Sequence, residues 1–108
     1  MPLLLGEFEQ MVLLAVMQAD QTEARAYGTT IFEELTSRTG RQVARGAVYM
    51  TLDRLEKKGL LSSYPMAATA ERGGRAKRGY RVTRLGVSAL KASHRALVRL
   101  WDGLESFS

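Results

Sequence analysis

From Met11 to Met17 every position is apolar, and this run sets the first element. It predicts a helix over 6–19, opened by Glu7 and Glu9, whose charge suits the positive end of the helix dipole. A helix apolar on all faces is buried all round. One small core does not cover every face, so the run is a first hint of a second chain. After the polar stretch Asp20–Arg25, Ile31, Phe32 and Leu35 make an apolar stripe that predicts a helix over 27–39, stopped by Gly40. Val48, Leu52 and Leu55 share one face of a third helix over 45–58, which Lys57, Lys58 and Gly59 terminate. The period then shortens. Residues 60–64 and 79–83 read as strands, separated by a loop from Pro65 to Arg78. Thr83 is the expected N-cap of a last helix over 84–106.

The order is helix, helix, helix, strand, loop, strand, helix. The expected fold is mostly α with a small β-hairpin: a winged helix-turn-helix with an added helix at each end for dimerisation. The expected division is a DNA-binding unit over 1–83, with helix 6–19 and wing 60–83, and a dimerisation helix over 84–108. The 108 residues fit one domain with a modest core. There is no cysteine, which excludes disulfides, Cys-ligated zinc and thiol catalysis. With one histidine and no carboxylate pair sharing an obvious pocket, no catalytic, metal or cofactor set is expected. Seven apolar residues are too few to span a bilayer, which needs about 20. The N-terminus has no basic segment of the signal-peptide kind, and a cytoplasmic setting is expected.

Charge narrows the partners. The formal net charge is +5, which favours a polyanion. The outer face of the third helix carries Arg45, Gly46, Tyr49, Met50, Asp53 and Arg54. In a helix-turn-helix the N-terminal part of the second helix enters the major groove. There Arg45 suits guanine or a phosphate, Gly46 allows close approach, Tyr49 donates to a phosphate oxygen, and Met50 meets a thymine methyl. The plain alternative is a solvated face, with Asp53 and Lys57 as a surface ion pair. The loop is the stronger signal, because hairpin loops usually have 2–5 residues. Glu71 to Arg78 holds four basic residues against one acidic, a net +3 out of the chain's +5. Arg72, Arg75, Lys77 and Arg78 are expected on phosphates, with Gly73-Gly74 at the tip. The alternative is a solvated linker. No G-x-x-x-x-G-K-[ST] pattern supports a nucleotide loop.

An ordered set of segments resembles the PadR regulators. It comprises Leu5-Gly6-Glu7-Phe8-Glu9-Gln10, Ala26-Tyr27-Gly28, Arg45-Gly46-Ala47-Val48-Tyr49, Leu52-Asp53-Arg54-Leu55-Glu56-Lys57-Lys58-Gly59-Leu60, Glu71-Arg72-Gly73-Gly74-Arg75 and Tyr80-Arg81-Val82-Thr83. The resemblance covers about residues 5 to 90. It implies a homodimeric winged-helix regulator of bacterial type, usually a repressor. It also implies a reading third helix, a wing on phosphates, and dimerisation through the first and last helices. The single terminal helix is similar to that of the family's short branch. Ala44 stands where many relatives have a capping Ser or Thr. Met50 and Ala76 stand at positions where Pro is frequent, and Gly79 at one where an aromatic is frequent.

Leu90, His94, Leu97, Trp101 and Leu104 alternate at spacings of four and three, a heptad-like seam. With Phe8, Met11 and Val12 of the first helix they form the expected dimer interface. A symmetric dimer presents two reading helices to a palindrome, about 34 Å apart. Some drug-sensing relatives stack aromatic ligands on a tryptophan of this helix. Trp101 is therefore read either as a site for a small-molecule effector or as a dimer anchor. His94 reads as a structural residue of the seam, against the alternatives of a switch or a metal ligand. Double-stranded DNA is the expected partner. A winged-helix module for an acidic protein is the alternative, and membrane-surface binding a minor one, since neither terminal helix has a strongly basic face.

Overall fold

Val12, Leu13, Val16 and Ala19 fall on the inward side of α1 (Glu7–Asp20) and form the floor of the core. The computed structural model describes residues 5–67, 77–104 and 106. α2 (Gly28–Thr39) adds Ile31 and Leu35 to that core, and α3 (Arg45–Lys57) adds Val48, Leu52 and Leu55. A hairpin follows, β1 (Leu61–Met66) antiparallel to β2 (Lys77–Val82), and then α4 (Arg84–Trp101). Leu60, Leu61 and Tyr80 close the core from the hairpin side, and Ala89 and Leu90 close it from α4. The fold is the mostly helical winged helix-turn-helix that the periodicity predicts.

The helix ends follow from local chemistry. The Gly6 amide donates to Glu9 Oε1 at 3.3 Å, and the Tyr27 amide to Thr30 Oγ1 at 2.9 Å. Thr83 caps α4 as expected: its hydroxyl oxygen accepts from the Gly86 amide at 3.1 Å and donates to the Gly59 carbonyl at 2.7 Å. α3 starts at Ala44 without a side-chain cap. Gly40 ends α2 in the left-handed region, φ 67°.

Three boundaries differ from expectation. The ladder is longer, with Pro65 paired to Arg78 and Met66 to Lys77, so Lys77 and Arg78 are strand residues rather than loop residues. Pro65 is tolerated because β1 is an edge strand, where a missing N–H costs no ladder bond. α4 ends at Trp101 rather than near 106. Asp102 leaves helical geometry and Gly103 takes φ 83°, so Leu104 lies past the helix that was expected to carry it. Within the protomer the core covers only part of α1: Leu14 remains 50% exposed and Met17 is also exposed.

Ala26-Tyr27-Gly28 ties hairpin to helices. The Tyr80 amide donates to the buried Ala26 carbonyl at 2.9 Å, and Tyr27 bridges Gly79 across the outer edge of β2. The same Tyr27 starts α2. At α4, the backbone of Gly86 sits so close to the Leu60 carbonyl that a Cβ would overlap it. The wing, α2 and α4 are thus fixed to one frame.

Candidate nucleic-acid interface

α3 turns Val48, Thr51, Leu52 and Leu55 inward, which leaves Gly46, Tyr49, Met50, Asp53 and Lys57 outward. Met50 is 69% exposed. Among the described residues, nothing lies within 4 Å of where a Cβ of Gly46 would stand. The first turn of α3 therefore presents an open surface, as a groove-reading helix requires.

One flank of α3 faces α2 and the hairpin. The Arg45 guanidinium lies 4.3 Å over the Phe32 ring, and Tyr49 packs its ring onto Gly28 at the start of α2. A Cβ at Gly28 would overlap the hydroxyl end of the Tyr49 ring, so a larger residue there requires the half-exposed Tyr49 side chain to swing aside. At the root of the wing, Lys77 Nζ sits 4.2 Å over the Tyr27 ring. Arg78 Nε donates to Ser63 Oγ at 3.0 Å, and that hydroxyl donates to Glu56 Oε2 at 2.6 Å. This relay links the wing to α3. Arg45, Lys77 and Arg78 have no carboxylate ion pair among the described residues.

The other flank faces α1. Arg54, the other α3 cation expected on the nucleic acid, is half exposed and has Nε 3.7 Å from Glu9 Oε2. Lys58 Nζ reaches the same oxygen at 2.8 Å. The Lys58 hydrogen bond, opposed by partial burial and helped by the Gly6 amide, holds the Glu9 carboxyl below the ordinary value of 4.5. Asp53 and Lys57 form the expected surface pair at 3.3 Å. Arg72, Gly73, Gly74 and Arg75 lie outside the described residues.

The expected dimer residues divide in two. Val12 and Leu90 are consumed by the protomer's own core, and Phe8 and Met11 are half-buried against it. Helical spacing puts Leu14 and Met17 outward on α1 in place of Val12. His94, Leu97 and Trp101 are exposed on the distal half of α4, and Leu104 is exposed beyond its end. Between α1 and α4 runs an apolar groove of about 250 Å³, lined by Gln10, Leu14, Met17, Leu90 and His94. Among the described residues, no cluster of acidic, histidine or cysteine side chains is arranged to hold a metal, and no helix is long and apolar enough to cross a membrane.

Sequence reasoning missed Phe32, Ser63 and Glu9. Phe32 carried a core signature and serves also as a platform for Arg45. Glu9 carried only a helix-dipole signature; its partners are 45 and 49 positions away, and no local pattern reports such a pairing.

Comparison with known proteins agrees with this geometry. The transcriptional regulator PadR-like family matches residues 13–92. The chain is 36% identical over 94 residues to the transcriptional regulator Rv3488 of Mycobacterium tuberculosis, covering 87% of this chain and 83% of that protein. Its fold is similar to the crystal structure of a PadR family transcriptional regulator from Eggerthella lenta, with TM-score 0.69 and 24% identity over 94% of this chain and 85% of the other. It is similar also to a PadR family regulator from Clostridium difficile, with TM-score 0.70 and 20% identity over 94% and 98% of the two chains.

Proposed function

This chain belongs to the PadR-like family of transcriptional regulators, and on that premise we propose that it acts as a homodimeric repressor on a palindromic operator. The observation that carries this reading is the open start of α3, where Gly46, Tyr49 and Met50 are exposed and Arg45 lies beside them. Arg45 and Met50 read base edges in the major groove, Gly46 lets the helix approach closely, and Tyr49 donates to a phosphate oxygen. Lys77 and Arg78 at the root of the wing, with Arg72 and Arg75 beyond it, hold phosphates and set register. Among the described residues Arg45 and Lys77 meet aromatic rings, and Arg78 reaches the Glu56 carboxylate only through the Ser63 hydroxyl, so none of the three is in a direct ion pair, which supports that assignment.

The second copy covers the α1–α4 groove and the exposed apolar end of α4, with Leu14, Met17, Leu97 and Trp101 at the contact. An apolar surface of this extent on one face suits a protein interface better than solvent. Bound across a promoter, the dimer excludes polymerase.

The test is selection of bound duplexes from a random pool at two salt concentrations. Recovery of an inverted repeat with half-sites about one helical turn apart, roughly 34 Å, is expected. Recovery of unspecific DNA only, lost at the higher salt, would refute sequence-specific docking by a dimer.

A further inference from the structure

The cations around α3 fall into two groups by the partner each one meets. Arg45, Lys77 and Arg78 meet two aromatic rings and a hydroxyl. Arg54, Lys57 and Lys58 all meet carboxylates. The difference matters for a polyanion. A ring face or a hydroxyl orients a cation and leaves its charge available, whereas a carboxylate cancels most of it.

Glu9 is the unusual member of the second group. Its side chain is only 15% exposed and serves two cations from a separate element. It is also held in place. Glu9 Oε1 accepts from the Gly6 amide. Next to that amide, the Leu5 amide donates to Ser93 Oγ of α4 at 2.9 Å in a buried bond, and the Leu5 carbonyl accepts from Gln10 Nε2 at 2.9 Å. A carboxylate fixed in this way is a preorganised competitor for any phosphate, unlike a mobile surface acid, which loses side-chain freedom whenever it pairs.

We propose that Glu9 is an internal counter-ion that withholds Arg54 and Lys58 from DNA phosphates, so that it limits non-specific affinity and confines the footprint to the first turn of α3 and the wing. The inference rests on the reading that α3 docks on DNA. Glu9 is a positioning residue here: it touches no nucleic acid and acts through the two cations.

The salt dependence of binding tests this, because each phosphate neutralised adds about 0.9 to the slope of log K against log salt. Binding of a random-sequence duplex is measured from low to moderate salt for the wild type, Glu9→Gln, Arg54→Ala and the double variant. Thermal melts check that each is folded. Glu9→Gln is expected to steepen the slope by at least about 0.9, since its one carboxylate offsets one of the two cationic charges, and to tighten low-salt binding several-fold. Arg54→Ala alone is expected to leave the slope unchanged, since Glu9 holds that side chain away from phosphate. The double variant is expected to keep the part of the gain that belongs to Lys58. Glu34→Gln, which removes the same charge from the Arg38 pair on α2, controls for net charge and should not change the slope. An unchanged slope in Glu9→Gln would overturn the proposal, as would a slope reduced by about 0.9 in Arg54→Ala alone. A wild type with no salt-dependent binding would remove the docking reading itself, and the counter-ion role with it.

Discussion

At Gly28 an added Cβ would overlap the hydroxyl end of the Tyr49 ring, while at Gly46 it would meet no described atom within 4 Å. These two glycines make different predictions. Gly28→Ala pushes the half-exposed Tyr49 ring off its seat and should weaken operator binding, with a change of only about 0.5 kcal/mol in urea unfolding because the ring can swing outward. Gly46→Ala should stabilise the fold by about 0.5–1 kcal/mol, because alanine is the better helix residue. The same change should weaken operator binding, because a methyl group then stands between helix and groove. Tighter binding by Gly46→Ala would show that the position does not approach the nucleic acid. Glu9 gives a pH prediction. Its folded pKa is lowered from 4.5, so the folded chain favours the charged form more than the unfolded chain does. Its contribution is full above about pH 4.5 and fades as pH falls through the lower folded value. Unfolding free energies of wild type and Glu9→Gln should therefore converge on acidification, and a constant gap down to pH 3 would contradict this.

α4 is one helix with two environments. Gly86, Ala89, Leu90, Ala92 and Ser93 are buried in the protomer, and from His94 onward most positions are exposed. The proximal half therefore belongs to the fold and the distal half to the proposed dimer. Leu97→Glu should convert dimer to monomer in sedimentation while the helical circular dichroism of the protomer persists. A dimer that survives this change would place the interface elsewhere. The elements were largely legible in the sequence because their stops are chemical: Gly40, Gly59 and Thr83 act where they were expected to act. The end of α4 was not. Trp101 and Leu104 stand three apart, which suggests a continuing helix, while Gly103 permits the left-handed turn that ends it. The strand ends were hidden for a related reason: Pro65 reads as a breaker, and only pairing with Arg78 at a sheet edge makes it a strand residue. Of the candidate site, the outward face of α3 was legible from helical period alone. The division of its cations between rings and carboxylates was not, because each partner comes from a distant segment.

Over the whole molecule, the net charge of +5 understates how unevenly charge is made available. The protomer measures 54 × 30 × 24 Å, and Arg45, Lys77 and Arg78 lie along the edge shared by α3, the start of α2 and the wing, while Arg84, Lys91, Arg95 and Arg99, also without a carboxylate partner among the described residues, lie on α4. Arg45→Ala should cost about 1–3 kcal/mol at the preferred operator and much less on random DNA. Lys77→Ala should weaken all duplexes alike and lower the salt slope by about 0.9. Equal loss on both DNA types for Arg45→Ala would reassign it to phosphate. The open face of α3 has a further consequence, for how such a regulator diversifies. Gly46, Met50 and Asp53 have no core to maintain, and the frame beneath them is locked by Tyr49 on Gly28 and by Ala26 on Tyr80. Substitutions at those three positions are close to neutral for folding, so a duplicated copy can drift to a new operator without first losing its structure.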